Sequence, residues 1–120
     1  MRVIETKVAG VKFENLDGTE RQNILKSCKI NEQLLLMKEP NIQFPDAVKV
    51  CRISGEQLGY LNDDTCHVIA PLLDSGHSIE TIITELSGLG FFSKKKHNSE
   101  CAIKITILNK IITMEENNES

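Results

Sequence analysis

The 120-residue chain has no tryptophan, one tyrosine and four phenylalanines. With so few large rings a core must be built from aliphatic side chains, and each aromatic placed at the surface is a scarce item. Long apolar runs are also missing: nothing approaches the roughly 20 residues of a membrane helix. Glu5 interrupts the N-terminal stretch where a signal peptide would be apolar. A cytoplasmic location without a membrane partner is therefore expected. Nor is there a surplus of cations, since 14 Lys+Arg face 17 Asp+Glu for a formal net charge of -3. The whole-molecule field does not draw polyanions, so any nucleic-acid site must be a local patch.

Catalytic and metal signatures are absent as well. Cys28, Cys51, Cys66 and Cys101 have no C-x-x-C spacing and read as reduced, mostly buried thiols. His67, His77 and His97 fall on separate elements, so no metal or other cofactor is expected. No G-x-S-x-G, P-loop or H-E-x-x-H occurs, and a helical His67 points about 100° away from its neighbour Cys66. The chain reads as a non-catalytic module.

What is present is period-2 alternation. "RVIETKVAGVKF" predicts a strand that bends at Gly10 before Lys12 and Phe13. "TERQNILKS" predicts a short helix with Thr19 as its N-cap, ending near Ser27. "NEQLLLMKE" predicts a strand buried on both faces, closed by Pro40. Ala47 to Ile53 and Gln57 to Leu61 predict a hairpin around Ser54-Gly55. "NDDTCHVIAPLLDSGH" shifts to helical spacing, with Asn62 or Asp63 as cap and Pro71 expected to keep the helix brief. "HSIETIITELSG" and "SECAIKITILNKI" are two further strands, separated by the loop "LGFFSKKKHN". The expected fold class is mainly β with two short helices: a small, partly open, antiparallel six-stranded barrel of the OB-like or SH3-like kind, with a small α+β sandwich as the alternative. One domain over 1–112 and a disordered acidic tail over 113–120 complete the reading.

Four stretches, in order, carry a resemblance: "AGVKFEN", "LLLMKEPNIQFPDAVKV", "SGEQLGYL" and "IAPLLDSG". As an ordered set they resemble the HIRAN domain, found in certain helicases and as a free-standing bacterial protein; the match covers about Thr6 to Leu108. The resemblance implies an OB-like barrel that captures the 3′-hydroxyl end of single-stranded DNA, with roles in DNA repair or replication-fork processing. Terminal bases would stack on aromatics, phosphates would meet basic side chains, and a loop aspartate would accept from the terminal hydroxyl.

Carried over by position, Lys12 is the basic residue, Phe13 a stacking ring, and Tyr60 the aromatic of the hairpin. Asn41, Phe44 and Asp46 lie on the proline-bracketed loop; either Asp46 or Pro45 falls at the hydroxyl-binding position. Lys94, Lys95 and Lys96, with Phe91 or Phe92, offer a phosphate patch and a ring near Ser99, where an aromatic is wanted. The chain departs from the pattern at Glu14, at Ile42, in a loop one residue short, and at Asp63, which stands where a phosphate-binding lysine is expected. Each residue also has a plain reading: Phe13 and Phe44 as plugs of the barrel ends, Tyr60 as packing, Lys94 to Lys96 as a solvated loop tip. The competing function is a protein-interaction module, with a helicase, nuclease or other protein as partner, favoured by Glu14, Asp63 and the acidic tail. DNA binding requires a positive patch joining Lys12, Lys38 or Arg52 and the Lys94 to Lys96 loop beside Phe13 and Tyr60.

Overall fold

In the computed structural model, residues 1–39, 41–88 and 99–110 are described. Six strands and two helices follow in the order β1 (Arg2–Lys7), α1 (Arg21–Leu25), β2 (Gln33–Lys38), β3 (Val48–Arg52), β4 (Gln57–Tyr60), α2 (Asp63–Asp74), β5 (His77–Ser87) and β6 (Glu100–Lys110). All pairings are antiparallel, in one curled sheet ordered β1-β6-β5-β2-β3-β4.

Long alternating runs decide the centre of this sheet. β5 and β6 pair along most of their lengths, and in β6 Cys101, Ile103, Ile105 and Ile107 point inward while the residues between them stay half-buried. Leu34, Val48, Val50, Leu58 and Ile83 join them from the other strands, with Leu25 of α1 and Ile69 of α2 closing the core. Each such side chain contributes roughly 1.5–3 kcal/mol on burial. β2 meets β5 through only two residue pairs, Gln33 with Ile82 and Leu34 with Thr81, and this short seam leaves the barrel partly open.

The segment just after β1 meets the end of β4, at the other edge of this order, through one bridge. The Ala9 amide donates to the Tyr60 carbonyl at 2.7 Å, and the Tyr60 amide donates to the Ala9 carbonyl at 2.9 Å. Gly59 makes that approach possible, because a Cβ there would lie 2.2 Å from the Ala9 oxygen and 2.9 Å from Val8 Cγ1. The edges that six short strands would expose are thereby joined at one end.

Four local expectations are corrected. Thr19 does not cap α1; Glu20 occupies that position without a side-chain bond, because the Thr19 hydroxyl is held by Asp17 in a turn at 2.6 Å. β2 buries one face only, with Leu35 and Met37 exposed opposite Leu34. Pro71 lies inside α2 without shortening it to a brief helix. Pro71 and His67 are both on the exposed side, where water can serve the carbonyl that the proline cannot reach. Buried Cys66, Ile69 and Ala70 anchor the opposite side, and Asn62 caps the helix by accepting from the Thr65 amide. Lys12 and Phe13 sit in a turn after β1 rather than on a strand end, with Gly10 at φ 74° supplying the bend.

All four thiols are buried and unpaired. Burial pushes Cys28 up to about 11 and Cys101 up to about 12, and raises Cys51 and Cys66 for the same reason.

Three outcomes are expected. Gly59→Ala should destabilise the chain by about 2–4 kcal/mol in urea unfolding, since neither a backbone oxygen nor the paired strand can yield 1 Å cheaply. Thr81, whose hydroxyl is buried without a partner, should gain about 1 kcal/mol on Thr81→Val in the same assay. A thiol reagent at pH 8 should label the native chain slowly and the unfolded chain at all four cysteines. Because the folded thiols titrate above the unfolded ones, this part of the stability is complete below about pH 8.5 and falls as pH rises toward 11–12.

Candidate nucleic-acid interface

A cleft of about 950 Å³ opens beside the Ala9–Tyr60 bridge. Three segments and one residue of α1, Arg21, wall it: the turn from Ala9 to Phe13, the loop from Asn41 to Ala47, and the junction of β4 with α2 from Tyr60 to His67. Phe13, Phe44 and Tyr60 all line it. Phe13 is 60% exposed and Phe44 51%, so neither plugs the barrel. The chain contains five aromatic residues in all, and three converge here.

Each ring is held by local backbone chemistry. Phe13 donates its amide to the Gly10 carbonyl at 3.2 Å, and Lys12 places its ammonium 5.5 Å from the Phe13 ring centre. Asn41 organises the opposite wall: its Oδ1 accepts from the amides of Gln43 at 3.0 Å and Phe44 at 2.7 Å, an Asx turn. Its oxygen is thus committed to the loop. The Phe44 carbonyl accepts from the amides of Asn41 and Ala47, while Glu39 donates to the Ala47 carbonyl and closes the loop's base. Tyr60 is fixed through its own backbone by the bridge to Ala9.

Asp46 lines the cleft and meets His67 Nδ1 at 3.0 Å, which leaves its second oxygen as an acceptor. His67 was not among the candidate residues from sequence, and no sequence signal pairs positions 21 residues apart on a loop and a helix. Asn62 ties the same corner to β1 by donating to the Thr6 hydroxyl at 2.9 Å. Arg21 was also missed. It is a buried residue of α1 lying over the Tyr60 ring, with its Cζ 5.3 Å from the ring centre.

The expected positive patch is not assembled as foreseen. Lys38 is paired with Asp74 at 2.7 Å, and Arg52 with Glu32 at 2.7 Å and Glu56 at 3.0 Å; neither lines the cleft. Lys94, Lys95, Lys96, Phe91 and Phe92 lie outside the described residues, as do Pro40 and the tail. Within the described residues the cleft's cation is Arg21, with Lys12 at its rim, and its carboxylates are Asp46 and Asp63. Cys66 lines the wall as a buried thiol directed to the Leu61 carbonyl at 3.4 Å, away from the Asp46–His67 pair. Among the described residues no group of three His, Cys, Asp or Glu side chains is placed to hold a metal, and no helix is long and apolar enough to cross a membrane.

This architecture has solved counterparts. The HIRAN domain of human HLTF superposes with a TM-score of 0.66 over 98% of this chain and 81% of that one, at 18% identity. A protein from Lactobacillus plantarum superposes with a TM-score of 0.61 over 87% of this chain and 96% of its own, at 19% identity. At such identities the likeness is one of fold. No curated protein sequence matches the chain. The HIRAN domain model matches residues 1–108, nearly the whole described barrel, and the chain belongs to the HIRAN domain family.

Proposed function

We propose that this chain is a non-catalytic module that holds the 3′ end of a DNA single strand in the aromatic cleft. The observation that carries the reading is the convergence of Phe13, Phe44 and Tyr60 on one cleft in a chain with only five aromatic residues. Two of them stay exposed although the core is otherwise aliphatic. Exposed rings on rigid turns are stacking platforms, and each base stacked on one contributes roughly 1–3 kcal/mol regardless of sequence.

The polar groups fit a strand end. Asp46 has one oxygen committed to His67 and one free, so it can accept from a terminal hydroxyl; a phosphate in that place would be repelled. The loop that carries Asp46 and Phe44 is pre-set by the Asn41 turn, which lowers the cost of ordering it around a ligand. Lys12 beside Phe13 supplies a phosphate contact at the rim. Membership of the family supports the same assignment, since the resemblance implies a 3′-hydroxyl site on these segments. The family resemblance supports a role in DNA repair or fork processing, alone or alongside a helicase or nuclease.

Fluorescence anisotropy with short labelled oligonucleotides tests the reading at low salt. Single strands ending in a 3′-hydroxyl should bind, and those ending in a 3′-phosphate or in a blunt duplex should bind at least about tenfold more weakly. Phe13→Ala and Phe44→Ala should each weaken binding by about 5- to 150-fold while leaving the urea midpoint nearly unchanged. Absence of binding to any of the three end types would overturn the DNA-end reading and favour the competing one, a protein-interaction module.

A further inference from the structure

Arg21 is 93% buried by its 7% exposure, yet it lines the cleft. Among the described residues, Lys7, Lys38, Lys49 and Arg52 each meet a carboxylate, whereas Arg21 meets none. A buried guanidinium without a counter-ion is costly, and neutral acceptors offset only part of that cost. Here the acceptors are Asn15 Oδ1, 2.7 Å from Nε, and the Gly10 carbonyl, 2.9 Å from Nη1. Of the five N–H groups of an arginine, those of Nη2 have no protein acceptor among the described residues.

Its surroundings are built to hold it there. Asn15 is itself clamped, donating to the Thr19 hydroxyl and to the Gln57 carbonyl of β4. The Tyr60 ring covers one face of the guanidinium. Gly10 has φ 74°, and a Cβ on it would sit 3.1 Å from Nη1, so a side chain there would crowd the arginine. The two cleft carboxylates are engaged elsewhere: Asp46 pairs with His67, and Asp63 lies in the first turn of α2, where a negative charge is stabilised.

We propose that Arg21 is an anion site in the cleft, holding a phosphate of the bound strand through its unengaged Nη2. The proposal rests on the nucleic-acid reading of the cleft and adds to it a buried phosphate anchor next to the rings. A planar guanidinium held at Nε and Nη1 fixes the direction of Nη2, which the flexible stem of a lysine at the rim does not do for its ammonium. The cleft's volume of about 950 Å³ leaves room for a sugar-phosphate beside a stacked base.

The test neutralises the phosphates one at a time. Short single strands carrying one uncharged methylphosphonate linkage at each position in turn are bound to the native chain and to Arg21→Gln, with thermal unfolding of the variant as a folding check. In the native chain one linkage near the stacked base should cost about tenfold in affinity. Arg21→Gln should be insensitive to that linkage, and its salt slope should be shallower by about 0.7. Equal losses in both proteins at every linkage would overturn the anion site while leaving DNA binding intact. Should Arg21→Gln not fold, the ¹⁵N resonance of Arg21 Nε in the native chain decides: it should shift with the unmodified strand and not with the strand neutralised at the critical linkage. If the native chain binds no strand at all, the reading of the cleft as a DNA site fails, and inorganic pyrophosphate becomes the probe. A shift of the Arg21 Nε signal would still support an anion site, and its absence at millimolar concentration would overturn it.

Discussion

The structure turns on the two hydrogen bonds between Ala9 and Tyr60. They join the ends of a six-stranded sheet whose remaining pairings run in a single curl, and they depend on the missing side chain at Gly59. Through the same bridge β4 delivers Tyr60, the chain leaves β1 into the Gly10 bend that carries Phe13, and the following junction starts α2 with Asn62 and Asp63. Closure of the barrel and construction of the cleft are therefore one event. A loosened bridge would cost stability and would also move the ring on which Arg21 rests.

The interior and the cleft divide the side chains sharply. Aliphatic residues and thiols fill the core, with burial holding the thiols protonated. Two of the four phenylalanines are placed at the rim on turns fixed by Gly10 and Asn41, and the tyrosine ends β4 at the same cleft. Four described cations, Lys7, Lys38, Lys49 and Arg52, are paired with carboxylates away from the cleft, while Arg21 is held inside it and Lys12 lies beside the Phe13 ring.

Much of this was legible in the sequence. The inward positions of β6 follow directly from Cys101, Ile103, Ile105 and Ile107 at period two, and the β3–β4 hairpin from alternation around Ser54-Gly55. Phe13, Phe44 and Tyr60 were singled out from their place in the family's motifs, and the fold brings the three to one cleft. Errors arose where a local signal was outbid by a neighbour. Thr19 has the right chemistry for a cap but Asp17 claims it first. Pro71 should stop a helix, yet its ring lies on the solvent side while Cys66, Ile69 and Ala70 hold the other. Leu34 to Met37 suggested two-sided burial, and only the fold shows that Leu35 and Met37 stay exposed on the other side. Arg21 and His67 could not be read as site residues, since their roles come from contacts with Tyr60, Asn15 and Asp46 across the fold.

The central claim is that the cleft beside the Ala9–Tyr60 bridge receives a DNA strand end. Backbone amide NMR of the native chain during titration with a short single strand ending in a 3′-hydroxyl measures this most directly. The account predicts that shifts cluster at Gly10 to Phe13, Asn41 to Ala47 and Tyr60 to His67, with β2 and the outer face of β5 unaffected. Shifts centred on the exposed Leu35–Met37 face, or none at millimolar strand, would contradict it.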